Sequence, residues 1–285
     1  MPSNFRKCFW GQNRVIFTIN LLAMRKTLRL LLMMGSIVIH TSCNTEENGS
    51  SFACNSGNCA EDGNGNYNSL SDCEIACEGG AALFSPGLGL TDVDGNTYSS
   101  IILGNGQEWM GENLRVTHFA NGDLIPFLTV DSLWRGTQGG ACCFYENNAD
   151  YGAVYGVLYN FYSVANVSPA GWHVPSDEEW VALSDYLGGM SVAGGKLKAT
   201  GVEFWQSPNI EATNESGFNA LAGGNREYQG GFNLFRTNAE WWTATSYGQE
   251  FEDIAWCRLI GYSDASLSRQ PTPFTSGLSI RCIKN

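Results

Sequence analysis

Histidine is almost missing from this 285-residue sequence, which has only His40, His118 and His173. Scattered histidines of this kind build neither a histidine-rich zinc site nor a nucleophilic triad. Basic side chains are also scarce, 16 against 28 acidic ones for a net charge of −12, so nucleic acid is excluded as a partner by charge repulsion. Beyond the first forty residues no long apolar run occurs, which excludes a polytopic membrane protein. A phosphate loop and a dinucleotide fingerprint are both lacking, and no cofactor is expected. What is abundant is apolar material at 43%, aromatic residues at 12%, 34 glycines and 10 cysteines. That composition supports a packed core and excludes disorder throughout.

The charges are unevenly placed. Residues 1–42 hold six basic side chains and no acidic one, so residues 43–285, with 10 basic and 28 acidic groups, carry a net charge of −18. A basic start at Met24-Arg25-Lys26 followed by the apolar Leu28 to Ile39 is the layout of a secretory signal. His40-Thr41-Ser42-Cys43 then resembles a bacterial lipoprotein processing site, at which Cys43 is lipidated and becomes the new N-terminus. Twelve apolar-biased residues fall short of the roughly twenty that a spanning helix requires. Met24 is expected to be the true start, with residues 1–42 a leader. Residues 43–52 read as a polar tether whose Glu46 and Glu47 resemble surface-export signals of Bacteroidetes lipoproteins; the plainer reading is a flexible linker. The expected location is the cell envelope, anchored by lipid to the outer membrane and exposed at the surface.

A small cysteine module follows over residues 53–80, with Cys54, Cys59, Cys73 and Cys77. Four cysteines so spaced form two disulfides or a zinc site, and an exported chain favours disulfides. Residues 81–90 read as a linker before a main domain over 91–285.

The main domain reads as α+β. An EF-hand beginning at Asp92 would need a glutamate twelfth, where Leu103 stands, so Asp94-Gly95 is read as a hairpin turn instead. Ser176-Asp177-Glu178-Glu179 is a capping box that opens a helix with Trp180, Leu183 and Leu187 on one face, closed by Gly188-Gly189. A second helix is expected over Val157 to Ala165. Long loops follow Gly201, and strands are expected at Glu240 to Ser246, Ile254 to Gly261 and Gly277 to Ile283.

Several strings, in order along the chain, are distinctive: Asp94-Gly95-Asn96-Thr97-Tyr98, Trp109-Met110-Gly111-Glu112-Asn113-Leu114-Arg115, Gly171-Trp172-His173-Val174-Pro175-Ser176 and Gly277-Leu278-Ser279-Ile280-Arg281-Cys282. In these the chain resembles the Fibrobacter succinogenes major paralogous domain family from about Asp92 to Asn285. The resemblance implies a C-type lectin-like fold on an exported bacterial protein, with no established activity. The family has one cysteine where this chain has two, at Cys142-Cys143 and at Cys257 with Cys282. That doubling implies bridges from the first pair to the second; a Cys142–Cys143 bridge beside Cys257–Cys282 is the alternative.

Formylglycine-generating oxidases share the lectin fold and use a reactive cysteine pair, but no copper-site histidine accompanies Cys257 and Cys282, so no catalytic residue is assigned. Calcium-dependent lectin motifs are also missing, because Gln270-Pro271-Thr272 lacks the carboxylate and Trp241-Trp242-Thr243 lacks an Asn-Asp pair. No metal is expected. Trp134, Trp205, Tyr228, Trp241 and Trp242 remain as a candidate platform for stacking sugars. The expected role is non-catalytic, binding glycan or another surface protein, or structural; the alternative is an enzyme of unknown reaction.

Overall fold

A computed structural model describes residues 52–55, 58–61, 83–248 and 253–285. All of them belong to the compact unit Gly49–Asn285. The expected leader, the start at Met24, the lipid site Cys43, the tether's charges and Cys73 and Cys77 lie outside the described residues. Within the small module, Phe52–Asn55 and Asn58–Glu61 pair as an antiparallel hairpin that sets Cys54 opposite Cys59 in backbone register.

The main domain is α+β. Five short antiparallel strands form one sheet in the order Trp172–His173, Ile283–Lys284, Glu108–Met110, Ser100–Leu103, Phe84–Pro86. The C-terminal strand thus sits inside the sheet, next to the domain's opening hairpins. Phe84–Pro86 was expected to be linker, yet it pairs with Ile101 to Leu103, so the domain begins earlier than residue 91. A second sheet places Ile254–Gly261 between Asn238–Ser246 and Ser268–Pro273.

Local chemistry explains the elements. Asp92 accepts hydrogen bonds from the backbone of Asp94 and Asn96, the Asn96 amide and the Tyr98 hydroxyl, which folds the Asp94-Gly95 turn around one carboxylate. The helix Asp177–Tyr186 has the expected capping box: Glu179 N–H donates to Ser176 Oγ and Ser176 N–H to Glu179 Oε2. Trp180, Leu183 and Leu187 are buried as that pattern requires.

The second expected helix does not form. Gly156, at φ 87, ends a different helix, Ala149–Tyr155. Then Asn160 spends its side chain on the Ala141 N–H and the Gly139 carbonyl, and only Leu158–Tyr159 and a 3-10 segment, Phe161–Asn166, occupy the stretch. Among the described residues four α-helices occur rather than two, the others being Asp131–Gly136 and Met190–Leu197. The third terminal strand is Ser268–Pro273, not Gly277 to Ile283. Its prolines hide it in the sequence, but as an edge strand it tolerates them.

Asn238–Ser246 divides the interior. Trp241 faces one apolar cluster with Trp109, Trp180 and Phe218, while Trp242 faces another with Tyr159, Cys257 and Cys282. The long loops are pinned by buried cations. Lys198 Nζ donates to the carbonyls of Ile210, Gly261 and Asp264. Arg226 donates to the carbonyls of Gly230, Leu128 and Thr129 and to Asp131, and it lies over the Trp134 ring. Arg281 joins Asn113 to the Phe218 carbonyl. Burial pushes Arg281 down to about 9.

Candidate functional site

A recess with charged walls lies beside the second sheet. Arg258, at the centre of Ile254–Gly261, stands directly opposite Arg269 on the edge strand. Opposed like charges destabilise a sheet unless something answers them. Here Asp177, the first residue of the capped helix, does so. Its Oδ1 accepts from Arg258 Nε at 3.0 Å and Nη2 at 2.6 Å, and its Oδ2 accepts from Arg269 Nη1 at 2.6 Å. The Asp177 carbonyl takes a further bond from Arg258 Nη2. Arg258 is fully covered, and burial lowers its pKa from the ordinary value against the pull of Asp177. Arg269 is 41% exposed and lies over Trp256, with 3.8 Å from guanidinium to ring centre. Beside them opens a cavity of about 670 Å³, to which Arg258, Arg269, Ser191, Met190, Val181 and Ser268 contribute.

A second recess of about 680 Å³ runs from the 3-10 segment Phe161–Asn166 past Ser168 to Trp172 and His173. His173 is committed, with Nε2 2.9 Å from Glu179 and Nδ1 2.6 Å from the Asn285 side chain. His118 pairs with Asp94 at 2.6 Å, in a separate part of the chain's pairing scheme. Burial raises the Asp94 pKa, but hydrogen bonds from Thr117 and His118 outweigh this and hold it below the usual value. Among the described residues no cluster of three or more His, Cys, Asp or Glu is placed to hold a metal ion, and no helix is long and apolar enough to cross a membrane.

The aromatic platform is not formed. Trp134, Trp205, Trp241 and Trp242 are all fully buried. Each indole N–H is satisfied inside: Trp134 by the Thr275 carbonyl, Trp205 by that of Ala220, Trp241 by Asn113 Oδ1 and Trp242 by the Tyr159 carbonyl. Only Tyr228, 47% exposed, presents an open ring. An indole with its polar tip paired inside is core material: Trp205, Trp241 and Trp242 fill the clusters on either side of the dividing strand, and Trp134 fills a third with Cys143 and Tyr145.

The expected bridges of the main domain are not made either. Cys142, Cys143, Cys257 and Cys282 are free and buried. Adjacent strand residues project to opposite faces. Cys142 therefore enters the cluster that holds Cys257 and Cys282, while Cys143 enters a separate one with Trp134 and Tyr145. Both cysteines of the first pair cannot then reach the second pair, and a vicinal bridge is not made. Cys257 Sγ instead contacts Thr272 Oγ1 at 3.1 Å, and Cys282 Sγ contacts Ser168 Oγ at 3.8 Å. Burial pushes each of the four thiols up to about 12. These four thiols are thus expected to be silent toward a thiol reagent in the native protein and each to become reactive after denaturation without reductant, read at the four positions by peptide mapping. Fewer than four of these positions reactive on denaturation would mean that bridges exist.

Arg258, Arg269 and the partnering role of Asp177 escaped sequence reasoning, which read Asp177 only as part of a cap. One signal was visible. Arg258 interrupts an otherwise apolar strand, Ile254-Ala255-Trp256-Cys257-Arg258-Leu259-Ile260, and a charge in such a run needs a partner.

Nothing among curated proteins and nothing among solved structures matches the chain. The model of the Fibrobacter succinogenes major domain does match it, over residues 103–284, which include the arginine pair, Asp177 and the whole second sheet. By that match across most of its length, the chain belongs to the Fibrobacter succinogenes major domain family.

Proposed function

We propose that this is an exported protein, lipid-anchored through Cys43 and displayed at the cell surface, whose lectin-like C-terminal domain binds a ligand without transforming it. The leader's charge and apolar pattern support export. Opening hairpins followed by short helices, a loop-rich stretch after Gly201 and a closing three-stranded sheet support a lectin-like reading. The disulfides proposed for Cys54, Cys59, Cys73 and Cys77 would hold the small N-terminal module together. A glycan is the ligand we favour, with another surface protein as the alternative.

The single observation behind a binding role is the preformed polar recess at Arg258 and Arg269, while the other buried cations described in the domain, Lys198, Arg226 and Arg281, are consumed in holding loops. Rigid walls with a few convergent polar groups are what ligand sites require. An oxidase reading would depend on Cys257 and Cys282 as thiolates, and their pKa values of about 12 keep them protonated at neutral pH.

The full chain on a glycan array should show saturable retention of a subset of glycans, and an entirely silent array would overturn the glycan reading. Labelled palmitate should be incorporated by the wild type and lost in Cys43→Ser. Label retained in that variant would remove the proposed anchor.

A further inference from the structure

We propose that the cavity beside Arg258 and Arg269 is an anion subsite, built to take a carboxylate or sulfate group carried by the ligand. This rests on the binding role proposed above and adds the chemical class of the group bound.

Three independent features converge there. The first is an unused donor. Lys198, Arg226 and Arg281 each have hydrogen-bond acceptors on all their nitrogens, whereas Arg258 Nη1 is buried and has none. A buried charged donor without an acceptor is costly, and Arg258 is part of the cavity wall. An anion in that cavity would offset the charge of the covered guanidinium, and the low dielectric around it strengthens its pull.

The second feature is the charge balance. Asp177 meets two guanidinium groups with one carboxylate, and its two oxygens already accept three side-chain hydrogen bonds. One positive charge is left over. Asp264, the nearby acid, does not cancel it by hydrogen bonding to either arginine; its Oδ1 accepts from the Ser266 N–H and hydroxyl.

The third feature is a helix terminus. Met190–Leu197 begins at the cavity, where Met190 and Ser191 both form part of its wall. Its N-cap is Gly189, at φ 100, and no side chain caps it. First-turn N–H groups lack acceptors within a helix, and with the dipole they favour an anion. Arg269 completes the site from the exposed side, held over the Trp256 ring, and a guanidinium is suited to recognition of an oxyanion.

The test titrates the full chain with sodium glucuronate and with sodium sulfate, holding ionic strength constant with chloride, and follows arginine side-chain and backbone signals by NMR. Glucose serves as the uncharged control. Saturable shifts around Arg258, Ser191 and Arg269 are expected with at least one acid and with no glucose. A response to glucuronate alone assigns the site to carboxylates, one to sulfate alone to sulfate esters, and either supports the proposal.

Arg269→Gln, at a half-exposed position and with folding checked by circular dichroism, should weaken the response about tenfold, the loss of one charge-assisted hydrogen bond. Linear, unsaturating shifts with both acids would overturn the proposal, as would saturation unchanged in Arg269→Gln. Glycans still retained on the array alongside a failed titration would remove this subsite while leaving the binding role intact.

Discussion

Asp177→Ala should destabilise the domain by about 3–5 kcal/mol, the range for breaking a buried ion pair from one side. The carboxylate answers Arg258 inside the protein, and removing it leaves that guanidinium covered, with neither Nη1 nor Nη2 paired to a side chain. Arg269, directly opposite across the ladder, would add repulsion that Asp177 now offsets. The variant also loses an acid from the first turn of Asp177–Tyr186, a smaller effect of roughly 0.3–1 kcal/mol.

Urea unfolding followed by near-ultraviolet circular dichroism measures the shift. Replacing the partner as well separates the causes, because the charge that makes Asp177→Ala costly is then gone. Asp177→Ala combined with Arg258→Met should regain much of the stability lost in the single variant. A single variant within about 0.5 kcal/mol of wild type, the scale of an ordinary surface change, would contradict this reading of the pair.

Trp241→Ala should cost about 3–5 kcal/mol as well, by a different route. The Trp241 ring lies 5.7 Å from both Trp180 and Phe218, and its N–H donates to Asn113 Oδ1 at 2.9 Å. Truncation opens a cavity among aromatic neighbours and removes one of the donors that orient Asn113, to which Arg281 is also bonded. Tyr228→Ala, at an open ring, should stay within about 0.5 kcal/mol. Thermal unfolding of the two variants beside wild type checks the contrast. Equal and small shifts would place Trp241 at the surface after all. A loss of ligand binding in Trp241→Ala therefore reports unfolding, and cannot by itself mark a stacking site.

Much of the scaffold was legible from local chemistry. Ser176 and Glu179 announce the helix they cap, Asp94-Gly95 announces its turn, and the apolar Ile254 to Gly261 is a strand at its expected bounds. What failed depended on neighbours distant in sequence. Asn160 breaks a plausible helix because Gly139 and Ala141 offer it partners, and Ser268–Pro273 is a strand despite two prolines because it lies at an edge.

The candidate site was legible only in part, for the same reason. Tryptophans signal either a platform or a core, and only the position of the dividing strand decides between them. Arg258 and Arg269 are eleven positions apart, with Asp177 far upstream; no local pattern brings the three together. The cysteines suggested staples by count, yet strand alternation sends Cys142 and Cys143 in opposite directions. The loops are held by Lys198, Arg226 and Arg281 instead.

The domain's interior aromatics are thus closed to ligand, while a pair of arginines with one shared carboxylate is presented beside an open recess. An array carrying each glycan in neutral form and in uronate or sulfated form, probed with the full wild-type chain and with Arg269→Gln, tests that account most directly. Retention of acidic forms over their neutral counterparts, lost in Arg269→Gln, is the expected result. Equal retention of neutral and acidic forms, unchanged by the substitution, would contradict it.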